Sequence, residues 1–188
     1  MNKVVIFWFR RDLRLHDNTA LFHALSNSET VLPIFIFDQQ ILDFLPKQDA
    51  RIEFILKQLT EINKTLKSHG SQLAVYSGTT EAVFTEIISE YEITSVYCNH
   101  DYEPYAISRD QSICELLKEK SISFKSYKDQ VIFERNQITK DDGLPYKVYT
   151  PFSRKWLIKM SENKIDFFNS EKYIHKFFNE KREFLSLK

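Results

Sequence analysis

The sequence predicts an α/β fold: a Rossmann-like, doubly wound, five-stranded parallel sheet with helices on both faces, followed by a C-terminal connector. Three observations predict it. Short apolar or β-rich runs recur at residues 4–9, 31–37, 73–76, 95–98 and 123–127. The first two, VVIFWF and VLPIFIF, are unbroken, as suits strands buried on both faces. Helical periodicity fills the gaps between the runs. The resulting β-α-β-α-β-α-β-α-β order argues for right-handed crossovers in one parallel sheet.

Each helix has its own justification. Residues 18–26 form a short first helix. Over 51–69, Ile52, Ile55, Leu56, Leu59, Ile62 and Leu66 recur at three- and four-residue steps and make one apolar stripe. Asp49 is placed to cap that helix, and Gly70 sits where a left-handed residue ends one. Over 80–91, Phe84, Ile87, Ile88 and Tyr91 share a face, with Glu81 near the positive end. Residues 103–120 open with Glu103-Pro104, a first-turn proline. Ile107, Cys114 and Leu117 are assigned to the inner face of that helix. Residues 129–152 carry turn chemistry (Asp141-Asp142-Gly143, Pro145, Pro151) and read as an extended excursion. Residues 153–188 read as one helix and a basic, aromatic tail.

Composition narrows the function. The 188 residues suit one domain with a real core. Three glycines, Gly70, Gly78 and Gly143, are too few and too scattered for a dinucleotide fingerprint or a phosphate loop. Net charge is zero, divided as −4 over residues 1–152 and +4 over 153–188. Cys98 and Cys114, without ligand-like spacing, suggest a reducing compartment and no structural zinc. The N-terminal apolar run is too short for a signal peptide or a membrane span, so a cytoplasmic protein without membrane partners is expected. The five histidines have no metal-like spacing.

In open parallel sheets, ligands bind beyond the carboxyl ends of strands. Four segments follow strands here: residues 10–18 (RRDLRLHDN), 38–40 (DQQ), 78–80 (GTT) and 99–105 (NHDYEPY). The first reads either as an internally paired surface turn or as a polar pocket wall. The last reads either as a helix start with packing tyrosines or as part of a site. No nucleophile or acid–base pair has a recognisable context, so no catalytic residue is assigned. Cys98 is assigned to the core, and Trp8 and Trp156 to packing. These residues alone point to a cleft for an uncharged or aromatic ligand, poorly equipped for a triphosphate.

Residues 8–18, WFRRDLRLHDN, resemble the opening motif of the DNA photolyase/cryptochrome family. Three further blocks agree in order: residues 34–38 (IFIFD), residues 101–106 (DYEPYA) with Arg109-Asp110, and residues 145–152 (PYKVYTPF) with Trp156. The resemblance spans residues 4 to 156. It divides the chain into an α/β antenna domain (1–130), an extended excursion closing it (131–156), and a connector (157–188) toward an absent FAD-binding helical domain. Family members repair pyrimidine dimers in DNA by light-driven electron transfer from reduced flavin, or act as cryptochrome photoreceptors. The FAD and the damaged DNA are held by the helical domain, which this sequence lacks. The chain is therefore expected to be an isolated domain, a truncated product or half of a split protein, inactive as a lyase alone. Its partner would be that helical domain, in cis or in trans. The alternative is a chromophore-free interaction module that docks a separately encoded flavin-binding half through residues 145–188.

The resemblance also implies an antenna site. Tyr105-Ala106 stand where folate-binding bacterial members carry Asn-Glu, which speaks against the folate mode. The Asp-x-Glu-Pro-Tyr form at residues 101–105 is closer to deazaflavin-binding members. Deazaflavin is thus favoured over FMN and folate, with an empty site as the alternative. Asp101 would accept a hydrogen bond from the ring system. Arg11 and Arg51 would be polar partners, Phe35, Ile36, Phe37 and Asp38 the adjacent wall, and Glu103 a further site residue. No metal is implied.

Overall fold

The chain alternates β1 (Lys3–Phe9), α1 (Thr19–Ser26), β2 (Val31–Asp38), α2 (Gln39–Leu42), α3 (Ala50–Ser68), β3 (Ala74–Gly78), α4 (Thr80–Glu90), β4 (Glu92–Asn99), α5 (Pro104–Glu119) and β5 (Ser123–Tyr127). A last helix, α6 (Tyr149–Glu162), stands between two 3₁₀ turns, Arg135–Gln137 and Ser170–Lys176. The computed structural model describes residues 2–179 and 184. The strands pair in parallel in the order β3-β2-β1-β4-β5.

Alternation along β1 explains the two-faced core. Val5, Phe7 and Phe9 join Leu21, Leu25, Leu59 and Ile62 under α1 and α3. Val4, Ile6 and Trp8 join Phe84, Ile87, Ile113 and Leu117 under α4 and α5. Successive side chains on a strand point to opposite faces. With both faces covered, nearly every position of β1 and β2 must be apolar. The covering helices change face between the β1–β2–β3 half and the β4–β5 half. The switch point of the sheet therefore lies between β1 and β4.

The α3 start follows the sequence reading. Asp49 caps it by accepting the Arg51 N–H at 2.9 Å, worth about 1 kcal/mol. Gly70 ends it at φ +77°, a region that disfavours a side chain.

Three expectations need correction. The inner face of α5 is Ala106, Arg109, Ile113 and Leu117, whereas Ile107 and Cys114 are exposed. The helix is rotated because Arg109 is buried with carboxylate partners, which an apolar pattern does not reveal. Residues 149–152, assigned to the excursion of 131–156, are the first turn of α6. Pro151 fits there because first-turn N–H groups need no intrahelical acceptor. β4 begins at Glu92 rather than Ser95, its early residues alternating exposed and buried. Within the connector assigned to 157–188, residues 168–178 return to the body of the domain. Ser170 and Phe177 are buried, and the Phe178 N–H donates to the Val31 carbonyl at 2.7 Å. Residues 180–183 and 185–188 of that connector lie outside the described residues.

Cys98 is buried in the sheet, and burial pushes its thiol up to about 12. Cys114 is exposed. Thiol titration of the native chain with an aromatic disulfide should therefore release one equivalent rapidly, and the second only in denaturant. Rapid release of both would contradict the placement of Cys98.

Candidate functional site

A cleft of about 840 Å³ opens at the carboxyl ends of β1 and β2, between α2–α3 and the start of α5. That size suits a small planar ligand. All eight residues assigned to the site, Arg11, Phe35, Ile36, Phe37, Asp38, Arg51, Asp101 and Glu103, line this one cleft. Its apolar wall continues through Ile52 and Ile55 on α3, which are only half-buried. Phe44, in the segment joining α2 to α3, stands at the cleft 89% exposed. Sequence reasoning missed Phe44, Tyr105 and Arg109 as lining residues. The exposed phenylalanine lies outside any periodic stripe, and the other two lie on a helix whose phase had been misassigned.

The polar residues divide into those already paired and those with capacity left. Asp38 caps α2 through the Gln40 N–H at 3.1 Å. It also accepts from the Thr80 hydroxyl at 3.0 Å and the Tyr105 phenol at 2.6 Å. Burial, then that bond to Asp38, push the Tyr105 phenol up, so it stays protonated. Asp38 is therefore a braced wall residue. Arg51 turns back to its own cap, 2.6 Å from Asp49, and its hydrogen bonds hold the Asp49 carboxyl down at about 2. Arg11 reaches from the cleft wall to Glu103 at 2.6 Å and to Asp101 at 3.6 Å. The bond to Glu103 first, against some desolvation, raises the Arg11 guanidinium further above its ordinary range. Asp101 is 10% exposed, and its other contact is a 3.5 Å bond from the Glu103 N–H. Both contacts are long, so an acceptor oxygen remains for a ligand donor.

The arginine-rich segment after β1 is mostly internal structure. Asp12, Asn18 and Asn99 form a buried network. Asn99 donates to Asp12 at 2.6 Å and to Asn18 at 2.8 Å, and accepts the Ala20 N–H at 2.9 Å. Arg10 binds Asp110 and the Asn99 carbonyl. Arg14 binds Asp129 at 2.7 Å. Of the three arginines, Arg10 and Arg11 line the cleft; Arg10 is buried and held by Asp110, whereas Arg11 is the exposed one. The paired-turn reading thus describes Arg10 and Arg14, and the pocket-wall reading describes Arg11.

A second cluster pins the segment after β5. The Glu134 carboxylate accepts from His100 and from the Tyr102 phenol, each at 2.5 Å. Burial pushes Glu134 up, but the bonds from Tyr102 and His100 outweigh it and hold the carboxyl below its ordinary range. A depressed carboxyl stabilises the fold above its unfolded pKa and loses that contribution as pH falls through its folded value. Amide protection across residues 128–138 should therefore weaken as pH falls below the ordinary glutamate range. Glu134→Gln should reproduce that weakening at pH 7, read by hydrogen exchange. Unchanged exchange in the variant would contradict the clasp.

No group of three or more histidine, cysteine or carboxylate side chains suited to a metal occurs among the described residues. No helix among them is long and apolar enough to cross a membrane.

Comparison with known proteins matches the cleft-bearing part of the chain. A family model described as DNA photolyase matches residues 5–168. The deoxyribodipyrimidine photo-lyase of a Synechococcus strain is 33% identical over 152 residues, covering 81% of this chain and 31% of that protein. A bacterial class III photolyase from Agrobacterium tumefaciens superposes with a TM-score of 0.73 at 30% identity, covering 82% of this chain and 31% of that one. An archaeal photolyase from Sulfolobus tokodaii, solved with two FAD molecules, gives 0.72 at 34% identity, covering 87% and 36%. The chain spans about a third of the length of these relatives.

Proposed function

The chain belongs to the DNA photolyase family, as its N-terminal α/β domain, and from that premise we propose that its cleft holds a light-harvesting chromophore. The excitation collected there is passed to a flavin in a helical domain that the described residues do not include. Light-driven repair of pyrimidine dimers is the activity this domain would serve, with DNA reached only through the helical domain. The observation that carries the proposal is the cleft. Two phenylalanines and two half-buried isoleucines give an apolar wall, facing one carboxylate with spare acceptor capacity. A tricyclic ring needs stacking surface and a few placed polar groups, and no glycine-rich phosphate cradle. FAD is the second flavin of the Sulfolobus photolyase. Here deazaflavin is favoured over FMN and folate by the Asp-x-Glu-Pro-Tyr form of residues 101–105 and by Tyr105-Ala106, with Asp101 accepting the ring N–H.

Titrating the chain with deazariboflavin, FMN and a folate, and following the visible spectrum, tests this. Deazariboflavin should bind most tightly. Asp101→Ala should weaken it about tenfold, the worth of one hydrogen bond to a charged acceptor. Failure of all three to bind would sink the proposal.

The helical partner is proposed to dock on α6 and its flanks. No residue of α6 is fully buried, and Leu144, Val148, Tyr149, Leu157, Ile158, Ile165 and Phe167 are 56–78% exposed. Such a concentration of large apolar residues marks an interaction surface. The partner is in cis in the relatives that are full-length photolyases; a separately encoded partner is the second reading. Co-purification with a helical FAD-binding half would support the trans form.

A further inference from the structure

One oxidisable ring in the cleft lies beneath two cations. Trp8, at the carboxyl end of β1, is 2% exposed and lines the cleft. The Arg109 guanidinium carbon stands 4.8 Å from its ring centroid, and that of Arg10 stands 5.1 Å away. Both are fixed in place. Arg10 binds the two Asp110 oxygens at 2.6 Å, and Arg109 binds Asp110 at 3.1 and 3.3 Å. Their side chains are 5% and 6% exposed. One carboxylate is thus shared by two guanidiniums, and Asp38 lies 3.9 Å from Arg109. It is the two cations, not the carboxylates, that stand over the indole ring. Burying two guanidiniums is costly, and apolar residues would pack the same site at no such cost.

An excited flavin-type ring is a strong one-electron oxidant, and a neighbouring indole is an ordinary donor to it. In that step one electron passes from Trp8 to the excited ring. It leaves an indole radical cation and a reduced ring radical, which recombine and release the excitation as heat. No bond breaks and no proton moves. A guanidinium over the ring favours the neutral indole. It opposes the radical cation by coulombic repulsion, most strongly where water is excluded. We infer that Arg109 and Arg10 protect Trp8 from oxidation by a chromophore in the cleft, so that the excited state survives long enough to be transferred. The inference rests on the chromophore reading above. Tyr105 is the competing donor, since its phenol faces Asp38 and Arg109 stands 5.8 Å from its ring.

The test is the fluorescence lifetime of bound deazariboflavin at saturation. Arg109→Gln should shorten it at least about threefold, and adding Trp8→Phe to that variant should restore it. Trp8→Phe alone should change it by less than about a quarter, since the protected indole is already silent. An unchanged lifetime in Arg109→Gln with ligand bound would overturn the inference. So would rescue by Tyr105→Phe in place of Trp8→Phe. A severalfold longer lifetime in Trp8→Phe alone would also overturn it, and that arm does not depend on Arg109→Gln folding. Absence of binding in the wild-type titration overturns the chromophore reading first, and the inference with it.

Discussion

Asn99→Ala should bring the domain close to unfolding, with a loss of about 3–5 kcal/mol, the sum of one buried N–H left without its acceptor and two further buried hydrogen bonds lost. Asn99 is 4% exposed at the end of β4. Its amide closes three contacts at once: to Asp12 at 2.6 Å, to Asn18 at 2.8 Å, and from the Ala20 N–H at 2.9 Å. Alanine leaves the buried Ala20 N–H without its acceptor and takes one donor each from Asp12 and Asn18, which keep the bonds from the Arg10 N–H, the Asn18 amide and the Leu21 N–H. Domains of this size are stable by only about 5–15 kcal/mol, so the variant loses a large share. Asn99→Asp keeps the acceptor for Ala20 but sets a carboxylate against Asp12, and should be no better. Urea unfolding followed by circular dichroism measures both. A shift in Asn99→Ala worth less than about 1 kcal/mol would show that the network is not what ties β1, α1 and β4 together.

Ile52→Trp should abolish ligand binding while leaving stability nearly unchanged. Ile52 lies in the first turns of α3, half-buried, with its side chain on the cleft. The indole fills space that a planar ligand needs, and binding should weaken more than about thirtyfold, roughly 2 kcal/mol. The cleft is open, so the added bulk strains little, and the unfolding midpoint should move by under about 1 kcal/mol. Phe54→Trp is the comparison. Phe54 is on the same helix, 62% exposed, and is not among the cleft-lining residues. It should bind ligand as the wild type does. Equal binding by Ile52→Trp and Phe54→Trp would mean that the ligand sits elsewhere.

The sheet was legible because a strand covered on both faces cannot hide its composition: VVIFWF and VLPIFIF have few other ways to be buried. The position of the cleft was legible for a related reason. Parallel topology places the residues at and after the ends of β1, β2 and β4 on one rim; the family resemblance selected Arg11, Asp38, Asp101 and Glu103 there, with Phe35, Ile36 and Phe37 on β2 and Arg51 on α3. What stayed hidden depends on contacts distant in sequence. Arg109 reads as an outer residue until Asp38, from another element, and Asp110 are brought beside it. Phe44 reads as an ordinary loop residue until the cleft is seen to open beneath it. The return of residues 168–178 follows from pairings such as Phe178 to Val31, which no local pattern announces. The one-turn helix α2 was missed because four residues are too few to show a period.

The account stands on the cleft holding a planar chromophore against its β1 wall, and the two tryptophans allow that to be measured directly. Trp8 lines the cleft, whereas Trp156, on α6, packs on Phe133. In a Trp156→Phe background, saturating deazariboflavin should quench the emission of Trp8 in a one-to-one titration. Adding Ile52→Trp would confuse that readout, so Ile52→Phe takes its place and should remove most of the quenching. Trp8 emission that is unaffected by ligand, or quenched equally with and without Ile52→Phe, would contradict the account.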